Sequence, residues 1–166
     1  MVFFLMKNNF FIILHNIGSA RTVDLFAKAC YGLDFSNVIV TKASSSAAMA
    51  GVPEAQKLAF KQGKNLLFLA DLSDAIELLK PVFLYMFAPK THAERVFSPE
   101  EAVEKAKNGI VFLIFGGSLS GLTRKELSQG LSVHLDLPGD IGTLGVATIA
   151  LFQLHNQLKT QETTPS

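Results

Sequence analysis

Phe115-Gly116-Gly117-Ser118-Leu119-Ser120-Gly121-Leu122 ends an apolar run, residues 110–115, on two consecutive glycines. A second glycine-bearing loop follows, Leu135-Asp136-Leu137-Pro138-Gly139-Asp140-Ile141-Gly142, and an apolar helical pattern opens at Thr143. Two such loops, each at the carboxyl end of an expected strand, mark the edge where an open α/β sheet holds ligands.

Upstream, short β-prone runs alternate with helical patterns. Strands are expected at residues 10–14, 37–41, 65–69, 82–87, 110–115 and 131–135. The first ends at His15-Asn16-Ile17-Gly18-Ser19, where Ser19 is suited to cap a helix over residues 21–32. A small-residue patch, Ala43-Ser44-Ser45-Ser46-Ala47-Ala48, reads as a flexible loop, with a phosphate-contacting loop as the alternative. Pro53-Glu54-Ala55 starts the next helix, which Gly63 stops. Asp71 or Ser73 caps a short helix over 74–79, and Ser98-Pro99-Glu100-Glu101 starts one over 102–107. Thr123 and Glu126 stand in capping-box register, and a final helix covers 143–158. Strict alternation predicts an α/β fold: a mostly parallel, six-stranded sheet with helices on both faces. Residues 1–159 read as a single domain and 160–166 as a disordered tail.

The composition is 49% apolar and only 17% charged. No apolar run reaches the roughly 18 residues of a membrane span, so central strands buried on both faces explain the apolar excess, and no membrane partner is expected. Met1–Met6 is followed at once by Lys7-Asn8-Asn9, the reverse of a signal-peptide charge pattern, which predicts a cytoplasmic protein; Met6 is an alternative start. A net charge of +1 leaves any nucleic-acid contact to local clusters. The single Cys30 lies at helical spacing with apolar neighbours and reads as an inert core thiol.

Several chemistries are excluded by pattern. No Gly-x-Ser-x-Gly, Walker loop or Gly-x-Gly-x-x-Gly occurs. The four histidines show no metal-ligand spacing, so no metal is expected. A restriction-type nuclease needs acids and a Glu-x-Lys on neighbouring strands, whereas Asp136 and Asp140 stand in a loop without that partner. His15 and His134 end strands at the glycine-bearing edge, and His155 reads as a surface or interface residue of the last helix.

The remaining pattern resembles the cofactor-binding half of the SPOUT RNA methyltransferases, in a branch of archaeal type sometimes labelled RecB-like nuclease. The likeness rests on the loop 115–122, on Thr143-Leu144-Gly145-Val146-Ala147 where the superfamily opens a helix with Ser-Leu-Asn-Val, and on Asn16-Ile17-Gly18-Ser19-Ala20-Arg21-Thr22, similar to the Asn-x-Gly-x-x-Arg entry of ribose methylases. It implies a C-terminal trefoil knot, a homodimer formed partly by the last helix, S-adenosylmethionine as cofactor, and tRNA or rRNA as substrate. Arg21 and Asn16 are the implied catalytic residues. Ala88, Phe115, Gly116, Gly117, Ser118, Leu135, Leu137, Ile141, Gly142, Thr143 and Leu144 are the implied cofactor-binding residues. Lys42, Arg124 and Lys125 are the implied RNA-phosphate contacts, with solvated surface charge as the alternative reading of each. Ser118 or Leu119 stands where many members carry Glu, and Gly145 stands for the Asn. The alternative is therefore a non-catalytic RNA- or nucleotide-binding protein of the same fold.

Overall fold

The structure, a computed structural model, describes residues 6–163. Strands β1 (Phe10–Ile17), β2 (Asn37–Ala43), β3 (Asn65–Leu69), β4 (Phe83–Phe87), β5 (Arg95–Val96), β6 (Val111–Gly116) and β7 (Leu131–His134) form one sheet. Its order is β3-β2-β1-β6-β4-β7-β5, with every pairing parallel. Helices α1 (Ala20–Gly32), α2 (Val52–Gln62), α3 (Leu72–Leu79), α4 (Pro99–Ala106), α5 (Arg124–Leu127) and α6 (Gly142–Glu162) connect and follow them.

The order explains the composition. β6 lies between β1 and β4, so both of its edges are paired, and helices cover both of its faces, leaving all six residues buried. A strand in that position must be continuously apolar rather than alternating. On one face Phe26 and Cys30 of α1, Ala55 of α2, Val103 of α4 and Leu151 of α6 pack over Phe10, Ile12, Leu14 and Leu113. On the other, Leu72 and Ala75 of α3, with Leu127 at the end of α5, cover Ile13, Ile39, Phe112 and Ile114. Cys30 is fully buried and burial pushes its thiol well above the ordinary range, as an inert core thiol requires. No helix among the described residues is long and apolar enough to cross a membrane.

The expected caps form. Ser19 accepts from the Thr22 amide, Asp71 and Asp74 make a capping box, Ser98 accepts from the Glu101 amide, and Thr123 with Glu126 makes the second capping box. Gly63 ends α2 in the left-handed conformation.

Four expectations need correction. The sheet has seven strands, not six; β5 is a two-residue edge pairing with both residues exposed, so no hydrophobic pattern announces it. β1 continues to Ile17 through what reads as a turn. The small-residue patch is not a loose loop. The Ser44 amide donates to the Ile17 carbonyl, Ser46 Oγ bridges the Ala20 amide and the Gly18 carbonyl, and Ala47–Gly51 forms a π-helical turn leading into α2. Finally, α6 runs to Glu162, so residues 160–162 of the expected tail are helical; residues 164–166, like residues 1–5, lie outside the described ones.

Candidate functional site

The carboxyl ends of β1, β2 and β6 converge, and three loops meet there. Gly117 donates its amide to the His15 carbonyl at 2.7 Å, continuing the β1–β6 ladder beyond the His15–Gly116 pair. The loop 117–123 then folds back over the end of β6. A Cβ on Gly116 would lie 2.8 Å from the Gly121 carbonyl carbon and the Leu122 nitrogen, and one on Gly117 would lie 2.9 Å from the Ile17 side chain and 3.0 Å from the Asn16 carbonyl. The chain's own close passage therefore already requires both glycines. Within the loop, Ser118 Oγ donates to the Gly121 carbonyl and lies 3.2 Å from Ser120 Oγ. Gly121 takes φ 68° with open space on its Cβ side.

The second loop, between β7 and α6, joins the first through one bond. Thr143 Oγ1 donates to the Gly116 carbonyl at 2.7 Å, fixing the start of α6 to the end of β6. Asp140 accepts from the Gly142 amide, where φ is 74°, and the Leu137 amide donates to the Leu135 carbonyl. Leu137 and Leu144 are half-buried, while Ile141 is 44% exposed and Leu119 in the first loop is fully exposed. These apolar groups border open backbone at Gly121, Gly139 and Gly142. An adenosyl or thioether group needs apolar walls and unobstructed backbone polar groups, so the residues present fit such a ligand. Ala88, half-buried, follows β4 and is tied to β7 by its amide bond to the Val133 carbonyl. Phe115 is different: its ring stacks on Phe87 at 4.4 Å and meets Phe26 edge-on, so its side chain belongs to the core and only its backbone faces the loops. Leu135 is likewise mostly buried at 9% exposure.

Below these loops lies a constellation that the sequence reading did not assemble. His15 is fully buried, with Nδ1 2.7 Å from Thr41 Oγ1 and Nε2 2.8 Å from Glu126 Oε1. Glu126 Oε2 accepts from the Thr123 amide at 2.7 Å, closing the capping box of α5. Burial alone would raise the Glu126 carboxyl, but the Thr123 amide and the His15 imidazole outweigh it and hold the carboxyl below its ordinary range. Three chain segments are thus bolted together directly beneath the glycine loop. The capping-box spacing was visible in the sequence; the second use of Glu126 was not.

Asn16 is half-buried, with φ 62°, and its carbonyl lies against Gly117. Arg21 is exposed in the first turn of α1, and Lys42, Arg124 and Lys125 are exposed at the ends of β2 and the start of α5, so all four cations share this edge of the sheet. His134, although at a strand end, turns its Nδ1 to the Leu135 carbonyl and is mostly buried. His155 lies at the opposite end of the molecule, where its Nδ1 accepts from Lys7 Nζ at 2.9 Å. Among the described residues, no group of three or more His, Cys, Asp or Glu is placed to hold a metal ion, and no strand carries Asp or Glu.

With this geometry in view, the likenesses to known proteins fall into two sets. The family model described as RecB-family nuclease (DUF2122) matches residues 45–153. A protein of Methanocaldococcus jannaschii, named as a candidate type II restriction enzyme, is 37% identical over 148 residues, covering 89% of this chain and 97% of the relative. A similarly named protein of Aeropyrum pernix is 35% identical, covering 86% of this chain and 90% of the relative. Solved structures that resemble it include several described as methyltransferases. One described as a probable methyltransferase from Bordetella pertussis superposes with a TM-score of 0.74 at 14% identity, covering 95% of this chain and 98% of that one. A second, described by the 2-OH methylation of C/U34 on tRNA, gives 0.69 at 12% identity, covering 91% and 97%. The SpoU methyltransferase AviRb from Streptomyces viridochromogenes, in complex with AdoMet, gives 0.67 at 11% identity, covering 93% and 58%. The parallel sheet flanked by helices is the fold these three structures share, and by sequence the chain belongs to the RecB-family nuclease (DUF2122) family.

Proposed function

We propose that this protein is an S-adenosylmethionine-dependent RNA methyltransferase of the SPOUT type, acting on tRNA or rRNA in the cytoplasm. The observation that carries the reading is the bond from Thr143 to the Gly116 carbonyl. It brings two glycine-bearing loops to one place, at the carboxyl edge of a SpoU-type sheet. The backbone of 115–118, the half-buried Ala88, and the apolar side chains Leu137, Ile141 and Leu144 would hold the cofactor, with Leu135 behind them and Gly142 and Thr143 fixing the second loop. A trefoil-knot crossing of the two loops belongs to the same proposal. When bound, the cofactor supplies an electrophilic methyl group. The chain's own contribution is alignment of the acceptor and removal of its proton. Asn16, fixed against Gly117, is suited to orient a ribose hydroxyl, and the exposed Arg21 guanidinium to hold a neighbouring phosphate in bidentate fashion.

The family's nuclease label finds little support in these residues. Metal-assisted hydrolysis of a phosphodiester uses carboxylates projected from neighbouring strands, and the strands here offer none. A second reading has a specific observation in its favour: a non-catalytic RNA-binding protein of the same fold. A Cβ on Gly145 would lie 3.0 Å from the Ile141 side chain, so an asparagine there would require that side chain to shift, and Ser118 is bonded to the Gly121 carbonyl.

Calorimetry with S-adenosylmethionine and S-adenosylhomocysteine, followed by transfer of labelled methyl groups to total RNA, tests the proposal. Micromolar binding and label incorporation are expected. Absence of binding at millimolar cofactor would sink the enzyme reading. Binding without incorporation, unchanged by Arg21→Ala, would establish the second one.

A further inference from the structure

β1 and β2 each place a left-handed, non-glycine residue at the same point of their shared register. His15 pairs with Thr41 and Ile17 with Ala43; between them Asn16 has φ 62° and Lys42 has φ 51°. The effect shows in which face each side chain joins. Phe10, Ile12 and Leu14 enter the core beneath α1 and α6, and so does Ile17; Val38 and Val40 enter it, and so does Ala43. Period-two alternation would have sent residues 16 and 42 inward. The paired left-handed steps displace both from the core, leaving Asn16 half-buried and Lys42 exposed.

For asparagine such a conformation is tolerable; for lysine, whose Cβ crowds the following carbonyl, it is unfavourable and calls for a cause. Lys80 at the end of α3 and Asp34 in the turn leaving α1 have capping and turn roles. Lys42 lies within a strand and has neither. Among the described residues it makes no ion pair and no side-chain hydrogen bond. The other cations of this edge are also badly placed by local criteria. Arg21 stands in the first turn of the thirteen-residue α1, at the positive end of its dipole, with no acid in that turn. Arg124 and Lys125 open α5, whose single acid in the first turn, Glu126, is engaged by His15 and Thr123. None of the three has an ion-pair partner among the described residues, a condition they share with Lys61, Lys80, Lys105 and Lys159, but only these three stand with Lys42 at one edge of the sheet.

We propose that Lys42 is a phosphate-binding residue for the RNA substrate, turned out at the sheet edge by the paired Asn16/Lys42 kink, and that Arg21, Arg124 and Lys125 continue the same polyanion track. The His15–Thr41 bond fixes the last regular pair before the kink, and Glu126 ties that pair to α5, so the kink rests on a buried base. The inference rests on RNA being the substrate but not on methyl transfer.

Its test separates conformation from charge. Lys42→Gly removes the cation and relieves the left-handed strain; Lys42→Ala removes the cation and keeps the strain; Lys42→Arg keeps both. Binding of a labelled tRNA transcript is followed by fluorescence anisotropy across a salt series, and thermal unfolding is measured in parallel. Lys42→Gly is expected to unfold at or above the wild-type temperature, yet bind the transcript roughly 3- to 10-fold more weakly, with a log–log salt slope smaller by about one. Lys42→Ala should lose the same affinity and unfold below Lys42→Gly, and Lys42→Arg should bind as wild type. A Lys42→Gly protein with wild-type affinity and slope overturns the proposal, as does a wild-type protein that does not bind the transcript. Cofactor calorimetry on the same samples keeps the two readings apart. Failure to bind S-adenosylmethionine with Lys42-dependent RNA binding intact defeats only the methyltransferase reading. Methyl transfer with RNA binding indifferent to Lys42 defeats only this one.

Discussion

Glu126 reaches across 111 positions of sequence to put its Oε1 2.8 Å from Nε2 of the fully buried His15. An ionised carboxylate accepts only, so His15 donates from Nε2; in the neutral ring its Nδ1 accepts from the Thr41 hydroxyl. Each polar atom of the ring is satisfied, and the satisfaction depends on α5 staying where the glycine loop delivers it.

Removing the carboxylate should therefore be costly. Glu126→Ala strands a buried imidazole N–H and removes the capping acceptor of the exposed Thr123 amide, and we expect a loss of about 2–3 kcal/mol in urea unfolding. The pH dependence has a definite sign. The folded carboxyl lies below its ordinary value, so its stabilisation is present above the unfolded carboxylate range and disappears as pH falls through the lower, folded value. Glu126→Gln should flatten that acid limb. An acid limb identical to wild type would show that the pair contributes nothing.

A second titration lies at the far end of the molecule. Lys7 Nζ donates to His155 Nδ1, which is possible only while His155 is neutral. Burial, and then Lys7 and Lys159, lower the imidazole's proton affinity, with Asp34 opposing them. The unfolded chain binds this proton more readily than the folded one, so stability should fall as pH drops from about 6.5, the ordinary histidine value, towards the lower folded one. His155→Gln should remove this segment of the stability curve while leaving the Glu126 limb in place. Unfolding at closely spaced pH values from 7.5 to about 5 reads it directly.

The glycines of the two loops should divide by position. Gly116→Ala places a Cβ 2.8 Å from backbone atoms of Gly121 and Leu122, which cannot swing aside, and is expected to cost about 1–3 kcal/mol and to weaken cofactor binding. Gly139→Ala meets nothing within 4 Å and has no positive φ, so it should be neutral or stabilising by up to about 1 kcal/mol. Equal effects from the two substitutions would mean that the loop does not pack as described.

Much of this was legible beforehand, and the reasons are local. The doubly covered β6 reads as an uninterrupted apolar run, and the caps at Ser19, Asp71, Ser98 and Thr123 depend on neighbours within a turn, so one window of sequence reveals each. What escaped is what distance or conformation decides. Arg95–Val96 is a strand only because β7 lies beside it. Asn16 and Lys42 belong to one kink only because β1 and β2 share a register, and neither residue's identity reports its φ. The consecutive Gly116 and Gly117 pointed to a ligand loop, yet what fills their Cβ positions is Leu122 and Ile17. His15 reads as a strand end at the ligand edge, and Glu126 covers it from a segment the sequence places far away.

The last prediction concerns the surface opposite the core on α1 and α6. Phe152 is 53% exposed, and with Ile149, Thr148, Ala29, Gly32 and Leu33 it lines a shallow groove of about 510 Å³ between those helices. Along the groove only Lys28 carries charge, and it is paired with Asp24. A half-exposed phenylalanine beside a small-residue face suits a self-complementary contact about a two-fold axis, in which the ring of one copy enters the groove of the other. We expect a homodimer formed this way. Phe152→Lys would then bring a cation into the contact on both sides of the axis, doubling its effect, and should shift sedimentation equilibrium to monomer at micromolar protein. Circular dichroism should remain that of the wild type, because Phe152 contributes nothing to the buried core. A Phe152→Lys protein that stays dimeric would place the contact on another face, and a wild type that sediments as a monomer would remove the need for one.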